Sequence, residues 1–471
     1  MKLKYMTKIK LREVPEAGGD CREMLMLDAA QRGFRYLHGI RQRNVAPKRE
    51  ALAGLECFRE AIPNGPTSAN AVLEMLDTFG SPATVANAGG RYFGFVNCGA
   101  VPAALAANVL AAAWDQNTAL RVMSPVAVAL EDIALNWIRD LLKLPAGSAG
   151  AFVSGASMAS FTCLAAARHA LLAAQGWDVE AHGLFGAPPI QVIVSEESHV
   201  AVRKALALVG LGRDRIVTVP ADSQGRLRVE RLPKITVPTI LCIQAGNVNT
   251  GSYDPAKEIC AVVPKDLTWV HVDGAFGLWA AASPQYAHLM DGFADADSWA
   301  TDGHKWLNLP YDCGVVFVGQ ATALYDAMKL DASYLRPGTE REPMHWSPEM
   351  SRRGRGVEAW AALKSLGRTG VADLIERTCR HARRFAESLR AAGYEVLNEV
   401  AINQVLVSFG SEEVTRAVID AVQRDGTCWC GSTVWQGRYA MRISVCSWVT
   451  DDHDVELSLA AMLRIAGEKA A

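Results

Sequence analysis

The sequence predicts an α/β protein in which short buried strands alternate with helices. Helical segments near residues 157–174 and 199–209 separate the first of these strands. From residue 150 onward the predicted strands are the apolar runs AFVS (151–154), IQVIVS (190–195), RIVTV (215–219), TILCIQA (239–245), LTWVHVD (267–273) and GVVFVG (314–319). Runs that are apolar without alternation are typical of a mainly parallel sheet that helices cover on both faces.

The flanking segments have different patterns and define the predicted domains. A chain of 471 residues is too long for one small core, so more than one compact unit is expected. The C-terminal part begins with a long helical pattern and then alternates helices with the runs YEVLN, QVLVSF and RYAMRISV, which indicates an α+β domain. The predicted parts are an N-terminal helical and loop segment (1–90), a large α/β domain (91–355) and a small C-terminal α+β domain (356–471).

Composition narrows the class of partner. Lys and Arg total 48 against 50 for Asp and Glu, so the chain lacks the basic excess of a nucleic-acid-binding protein. The eleven cysteines are scattered and form no CxxC pair, which predicts reduced thiols in a cytoplasmic protein and no metal site. A redox or metal role for Cys428 and Cys430 is the less favoured alternative. The N-terminus is basic but no apolar run follows it, so neither a signal peptide nor a membrane span is expected.

Two charged residues follow predicted strands that end at one edge of the sheet. Asp273 ends the strand in HVDGAFGLWA, and Lys305 follows in SWATDGHKWLNLP. Because α/β sheets bind ligands outside the carboxyl ends of their strands, both side chains can reach one ligand. Pyridoxal phosphate (PLP) needs this pair, since a lysine amine carries it as a Schiff base and a carboxylate keeps its pyridine nitrogen protonated. Either residue alone is more often a surface or capping residue, so the prediction depends on the combination.

Two further segments fit the same cofactor. In FVSGASMASF a strand ends at Ser154, Gly155 permits a tight turn and Ser157 opens a helix, whose N-terminus favours a phosphate group. In SEESHVAVRKA, His199 follows a strand near the start of a helix, where its flat ring can stack on a pyridine ring. The plain alternatives are a capped helix and a histidine satisfied at a helix start.

In order along the chain, the motifs SGAS, SHxxxxKA, AGNVNTGSYDP, HVDGAFG and DGHKW closely resemble those of the group II PLP-dependent amino-acid decarboxylases. These enzymes include the aromatic-amino-acid and glutamate decarboxylases and have PLP fold type I, the fold of aspartate aminotransferase. The resemblance covers roughly residues 60–465. It implies a large, mainly parallel seven-stranded sheet and a homodimer with the active site at the subunit interface.

The resemblance also implies roles for single residues. Lys305 would hold PLP, Asp273 would pair with the pyridine nitrogen and His199 would stack on the ring, so these three are the predicted catalytic residues. The other predicted cofactor contacts are Ala275 on the opposite face of the ring, Ala156 and Ser157 at the phosphate, Asp302 and His304 beside the phosphate, and Asn247 near the phenolic oxygen. His304 is also a candidate for contact with the substrate carboxylate.

Two positions depart from the family pattern. Asn247 stands where many relatives have threonine, a change that can alter substrate orientation. In the segment DASYLRPGTEREPMHWSPEMSRRGRG, Pro343 stands where relatives often have a tyrosine that protonates the substrate carbon. Tyr334 lies upstream and is interpreted as structural. His345 is a substitute donor, with packing beside Trp346 as the alternative.

Aromatic and basic residues are candidates for the substrate pocket. Phe93 and Phe95 alternate in RYFGFVN, where relatives line the substrate site, although core packing explains them slightly better. Trp435 and Arg442 lie in the C-terminal segment. Arg442 can hold an acidic group, but a structural salt bridge is the more common explanation. Aromatic and acidic amino acids both remain open as substrates, and the aromatic residues favour the first.

The predicted reaction is the decarboxylation of an L-amino acid to an amine and carbon dioxide. The cofactor provides the electron sink, but the protein decides which bond breaks. A decarboxylative oxidase, a lyase or aldolase, and an aminotransferase therefore remain alternatives. A non-catalytic binding protein is the least favoured, because the lysine, the aspartate and the histidine are all present.

Overall fold

The structure, a computed structural model, describes residues 21–330 and 340–470. The chain divides into two compact units, one ending at Ala86 and the other beginning at Asn87. The first unit contains helices α1 (Cys21–Gly39), α2 (Arg49–Ala53), α3 (Ala69–Met75) and α4 (Ser81–Ala83). Arg32 on α1 pairs with Asp28 at 3.0 Å and with Asp77 at 3.1 Å, which joins α1 to the turn after α3.

The second unit contains all the strands. Its elements are α5 (Pro102–Trp114), α6 (Pro125–Leu141), β1 (Ala149–Val153), α7 (Ala156–Ala173), α8 (Val179–His182), β2 (Gln191–Ser195), α9 (Val200–Leu208), β3 (Ile216–Val219), β4 (Thr239–Gln244), α10 (Ala256–Val262), β5 (Thr268–Asp273), β6 (Ser298–Asp302), β7 (Gly314–Val318), α11 (Ala321–Met328), α12 (Arg355–Ala391), β8 (Glu395–Val396), β9 (Gln404–Ser408), α13 (Glu412–Asp425), β10 (Gly431–Trp435), β11 (Arg438–Ser444) and α14 (Asp452–Ala470). Helix α12 is interrupted at Gly367, whose φ of 61° lies outside the helical region.

A seven-stranded sheet forms the centre of this unit, in the order β1-β7-β6-β5-β4-β2-β3. The pairings among β2, β3, β4, β5 and β6 are parallel, whereas β7 runs antiparallel to both of its neighbours, β1 and β6. This confirms the predicted α/β fold with a large, mainly parallel sheet. Six strands coincide with the apolar runs. The seventh, β6, has the sequence SWATD and is not an apolar run, although all five of its residues are buried.

The apolar runs reflect a sheet that is buried on both faces. Successive strand residues belong to different core clusters: Ile193 packs in one, while its neighbours Val192 and Val194 pack in another. The same alternation occurs on β4, where Leu241 lies in the first cluster and Ile240 in the second. Since successive strand side chains point to opposite faces, each face has its own apolar layer.

A second sheet, of four antiparallel strands in the order β10-β11-β9-β8, lies in the C-terminal part. Gln436 and Gly437 connect β10 to β11 with φ angles of 47° and 80°, the conformation that a two-residue hairpin turn requires. The core beside this sheet includes the free thiols of Cys428 and Cys430. The α+β pattern is therefore confirmed, while the domain boundary at 355/356 stays a prediction. In the described part of the chain, no helix is long and apolar enough to cross a bilayer.

Candidate active site

A cavity of about 340 Å³ opens at the carboxyl edge of the large sheet. Strands β1, β5 and β6 and the starts of α7 and α9 contribute its walls, because parallel strands and the helices that follow them meet at this edge. Its lining residues are Ser154, Gly155, Ala156, Ser157, Met158, Ser160, His199, Ala201, Asp273, Ala275, Asp302, His304 and Lys305. All predicted cofactor contacts except Asn247 are among them.

Asp302 connects the predicted lysine to the turn before α7. The Lys305 Nζ atom lies 2.9 Å from Asp302 Oδ2, and Asp302 Oδ1 accepts a 2.5 Å hydrogen bond from the backbone N–H of Ala156. The Asp302 carboxylate is almost fully buried, so this ion pair and this hydrogen bond are both formed away from bulk water. The sequence placed Asp302 beside the phosphate but did not reveal this pairing with the lysine amine.

The turn from β1 into α7 has the features of a phosphate site. Because Ala156 already donates to Asp302, the free donors of the first helical turn are the N–H groups of Ser157 and Met158. A methyl group on Gly155 would stand 3.2 Å from His304 Cε1, so glycine leaves space here that a side chain would occupy. The helix start can therefore receive an anion.

Asp273 and Ala275 occupy the next strand end. Asp273 ends β5 beside β6, and its Oδ1 atom accepts from the N–H of Ala275 at 3.2 Å. The Ala275 carbonyl in turn accepts from the N–H of Asp302 at 2.9 Å, which fixes this small residue between the two carboxylates. A buried carboxylate at this depth can hold a proton on a ring nitrogen.

His199 caps α9, and its ring lines the cavity. Its Nδ1 atom accepts from the N–H of Ala201 at 3.2 Å, so the neutral ring carries its proton on Nε2. Burial lowers the pKa of His199, although the Asp273 carboxylate opposes that shift. The imidazole is thus uncharged at neutral pH, which suits a face that packs on an aromatic ring.

His304 has the same kind of backbone contact. Its Nδ1 atom accepts from the N–H of Cys313 at 3.0 Å, and its Nε2 atom faces Asp302 Oδ1 at 3.6 Å. Burial lowers the pKa of His304 despite the neighbouring Asp302. The ring of Tyr311, a residue that the sequence did not single out, lies over His304 with the ring centroids 4.3 Å apart.

Comparison with known proteins identifies the family. The model of the pyridoxal-dependent decarboxylase conserved domain matches residues 57–411. This chain belongs to that family. It is 29% identical over 376 residues to the aromatic-L-amino-acid decarboxylase of Drosophila lebanonensis, covering 74% of this chain and 91% of the relative. It is also 23% identical over 404 residues to the phenylacetaldehyde synthase of Petunia hybrida, covering 78% of this chain and 79% of the relative.

A solved structure supports the fold. The crystal structure of Oryza sativa TDC with PLP and tryptamine has a TM-score of 0.89 and 22% identity, covering 97% of this chain and 99% of its own. The chain is therefore a PLP-dependent amino-acid decarboxylase of fold type I. The site fits the cofactor, since one wall provides a lysine amine and a buried carboxylate and another provides a helix start with free N–H groups.

The side chain of Asn247 in the decarboxylase stabilises the turn that follows β4. Its Oδ1 atom accepts from the N–H groups of Asn249 and Thr250 at 2.9 and 3.2 Å, and its Nδ2 atom donates to the Glu197 carbonyl at 3.3 Å. The side chain is almost fully buried and does not line the cavity. The structure therefore gives Asn247 a turn-stabilising role, and contact with the cofactor stays a prediction.

The two predicted substrate phenylalanines differ in environment. Phe93 has no exposed surface and packs edge-on against Phe385, with ring centroids 5.0 Å apart, which is the core role that competed with a substrate role. Phe95 is 58% exposed and lies against Trp429 at 5.5 Å. Only Phe95 is therefore available to a bound molecule in this chain. Trp435 is buried beside the turn that Gly225 forms.

Arg442 on β11 lies beside Phe95, with its guanidinium carbon 6.0 Å from the ring centroid. It donates to the Val248 carbonyl at 3.3 Å, and no carboxylate lies within ion-pair distance among the residues that the structure describes. The expected structural salt bridge is therefore absent there. Arg352 shows the contrast, because Glu131 binds it through two hydrogen bonds of 2.6 and 2.8 Å.

The loop before α12 is described only in part. Pro343 is buried in a 3₁₀ turn that ends at His345. The His345 Nδ1 atom accepts from the N–H of Leu330 at 3.2 Å, and its ring contacts Tyr325 rather than the cavity. The packing alternative thus describes His345 in this chain, although its partner is Tyr325 and not Trp346. Tyr334 lies outside the described residues.

Proposed function

We propose that the decarboxylase converts an aromatic L-amino acid to its amine and carbon dioxide. The observation that supports this proposal is the exposed ring of Phe95, whose centroid lies 5.5 Å from that of Trp429 and 6.0 Å from the guanidinium carbon of Arg442. An aromatic side chain can pack on Phe95 while a substrate carboxylate meets Arg442. Arg442 lies close enough to the cavity-lining His199 for its charge to act with burial in lowering the pKa of that histidine. Tyr311 joins the Phe95 segment to the loop of His304 by donating to Asn97.

The proposed roles follow from the site geometry. When bound, PLP supplies a sink for the electron pair that remains when the carboxyl group leaves. Lys305 would hold the cofactor, and Asp273 would hold the proton on its ring nitrogen. The neutral ring of His199 would pack on one face, and Ala275, which has only a methyl group, would leave room at the other. The free N–H groups at the start of α7 would bind the phosphate.

A direct test is incubation of the PLP-loaded protein with single amino acids. With phenylalanine, tyrosine or tryptophan, one molecule of amine should form for each molecule of carbon dioxide. The Lys305→Ala variant should form neither product. Turnover of glutamate or aspartate alone would refute the aromatic substrate but not the decarboxylation. An acidic substrate is the second candidate, since Arg442 has no carboxylate partner among the described residues.

Aldehyde formation is a separate outcome of the same site. Pro343 replaces the tyrosine expected to return a proton to the substrate carbon, and it lies buried in its turn. Without that proton, molecular oxygen can accept two electrons from the decarboxylated substrate and leave as hydrogen peroxide, and water then releases the aldehyde and ammonia. Measuring peroxide beside amine distinguishes the two reactions, and dependence on an added keto acid would indicate aminotransfer.

We also infer a homodimer, supported by an apolar face of α5. On this helix Val109, Leu110 and Trp114 are 54%, 55% and 41% exposed. Single exposed apolar residues are ordinary, but several together on one helix indicate an interaction surface. A second copy of the chain is the proposed occupant. Leu110→Glu should convert dimer to monomer in analytical ultracentrifugation, while an active wild-type monomer would refute the inference. The cytoplasmic location stays a prediction.

A further inference from the structure

We propose that Tyr311 is a positioning residue that clamps His304 and fixes where its Nε2–H group points. This inference rests on the proposed decarboxylation, in which His304 is a wall of the reacting site. Six residues lie between the two in the loop that connects β6 to β7, yet their rings are in contact, with centroids 4.3 Å apart and an interplanar angle of 31°. The stack holds one face of the imidazole.

Both ends of Tyr311 are anchored. Its hydroxyl donates to Asn97 Oδ1 at 2.7 Å, which ties the ring to the segment that carries Phe95. Its backbone continues into Asp312, whose Oδ1 atom accepts from Arg355 at 3.0 Å and whose carbonyl accepts from Arg353 at 2.6 Å. A half-exposed aromatic ring with both ends fixed can therefore act as a rigid support.

The clamp holds the His304 ring in the position where a backbone hydrogen bond sets its tautomer. The N–H of Cys313 donates to His304 Nδ1 at 3.0 Å, so the neutral ring must carry its proton on Nε2. That atom lies 3.6 Å from Asp302, which also pairs with Lys305. The charged groups around the imidazole are Asp302, Lys305 and Asp312. If the ring turned, Nε2 would lose its direction toward the lysine end of the cavity.

The hydroxyl and the ring of Tyr311 can be separated by substitution. Tyr311→Phe keeps the stack and loses only the bond to Asn97, so kcat should stay within about threefold of wild type. Tyr311→Leu removes the aromatic face, and kcat should fall about 10- to 100-fold with little change in KM, the range expected when a positioned group loses its alignment. Tyr325→Leu is the matched control, because Tyr325 contacts a histidine outside the cavity.

The decisive readout needs neither cofactor nor turnover. The PLP-free protein is labelled with ¹⁵N-histidine for NMR, and the His304→Gln variant assigns the His304 signal. His304 should show the Nε2–H tautomer in wild type and in Tyr311→Phe, but a mixture of tautomers in Tyr311→Leu. An unchanged tautomer and rate in Tyr311→Leu would overturn the clamp. So would a switch from amine to aldehyde in Tyr311→Phe, since the hydroxyl would then be the proton donor.

A replacement variant and a comparison of outcomes separate failure of the clamp from failure of the fold or of the proposed reaction. Tyr311→Met fills the same space without a ring and replaces the leucine variant if that one does not fold. If wild type forms no amine while the tautomer responds as expected, the proposed reaction fails and the clamp stands. If amine forms but the tautomer is insensitive to residue 311, the clamp fails and the reaction stands.

Discussion

Replacing Arg442 by methionine should weaken substrate binding without weakening the fold. Burial lowers the pKa of the Arg442 guanidinium below its ordinary value, and its described protein acceptor is the single carbonyl of Val248 at 3.3 Å. A partly buried cation with so little compensation costs folding free energy. Methionine removes the charge and keeps apolar bulk beside Phe95. The free energy of unfolding should therefore stay constant or rise by roughly 1 kcal/mol.

The effect on binding has the opposite sign. A hydrogen bond to a charged group contributes about 1.5–3 kcal/mol. At about 1.4 kcal/mol per factor of ten, its loss raises KM roughly 10- to 150-fold. The assay combines urea unfolding of the unloaded protein with steady-state decarboxylation of the preferred amino acid.

Arg438 is a matched control on the same strand. It forms a two-bond pair with Glu395 at the surface, at 2.7 and 2.5 Å, and surface pairs contribute about 0–1 kcal/mol. Arg438→Met should therefore change neither KM nor the free energy of unfolding by a large amount. If Arg442→Met instead lowered the free energy of unfolding by more than about 2 kcal/mol at unchanged KM, Arg442 would be a structural residue.

Three further predictions follow from the large sheet. Lys305→Ala should abolish covalent retention of PLP, which mass spectrometry after borohydride reduction measures, whereas Asp273→Asn should retain PLP and lower kcat about 10²- to 10³-fold. Burial lowers the pKa of His271 to about 3, so only the unfolded chain protonates it below about pH 6.5. The free energy of unfolding should then fall from about pH 6.5 toward pH 3, and His271 should contribute about 1.4 kcal/mol of that fall per pH unit. The His271→Gln variant should lack this contribution. Identical urea midpoints of both proteins across this range would contradict the assignment. In Gly314→Ala, the new methyl would overlap the backbone of Gly155, so the free energy of unfolding should drop by about 1–3 kcal/mol and PLP titration should show weaker binding.

The sequence predicted the parts of the site that depend on strand ends. Asp273 and His199 follow buried apolar strands, and a parallel sheet brings such positions to one edge whatever the loops do. The same logic missed β6, because SWATD is buried through specific contacts rather than apolar character. Ser298, for example, meets the ring nitrogens of Trp269 and His271 at 2.9 and 3.0 Å. Buried polar strands of this kind have no apolar pattern to detect.

Contacts between distant segments could not be predicted in this way. Among the described residues Arg442 has no carboxylate nearby. This depends on which residues β9, β10 and the turn after β4 present to it, and spacing along the chain does not specify them. Phe93 and Phe95 received one interpretation because they alternate, with core packing slightly favoured over a substrate role, and the structure separates them. Two consecutive residues with positive φ, Phe95 at 54° and Val96 at 58°, turn the chain so that the two rings separate. No residue pattern in RYFGFVN signals that turn.

The two cavity histidines, His199 and His304, keep a fixed tautomer and stay uncharged near neutral pH. The Nδ1 atom of each ring accepts a hydrogen bond from a backbone N–H group. The donor is Ala201 for His199 and Cys313 for His304. Backbone donors cannot rotate away as hydroxyls do, so each proton stays on Nε2 as long as the ring keeps its position. Burial lowers both pKa values, so neither ring becomes a cation near neutral pH. Among the residues that line the described cavity, the positive charge then comes from Lys305, while Arg442 lies close enough to lower the pKa of His199. Attachment of a cofactor to that lysine would therefore change the charge of the site more than any histidine titration near neutral pH.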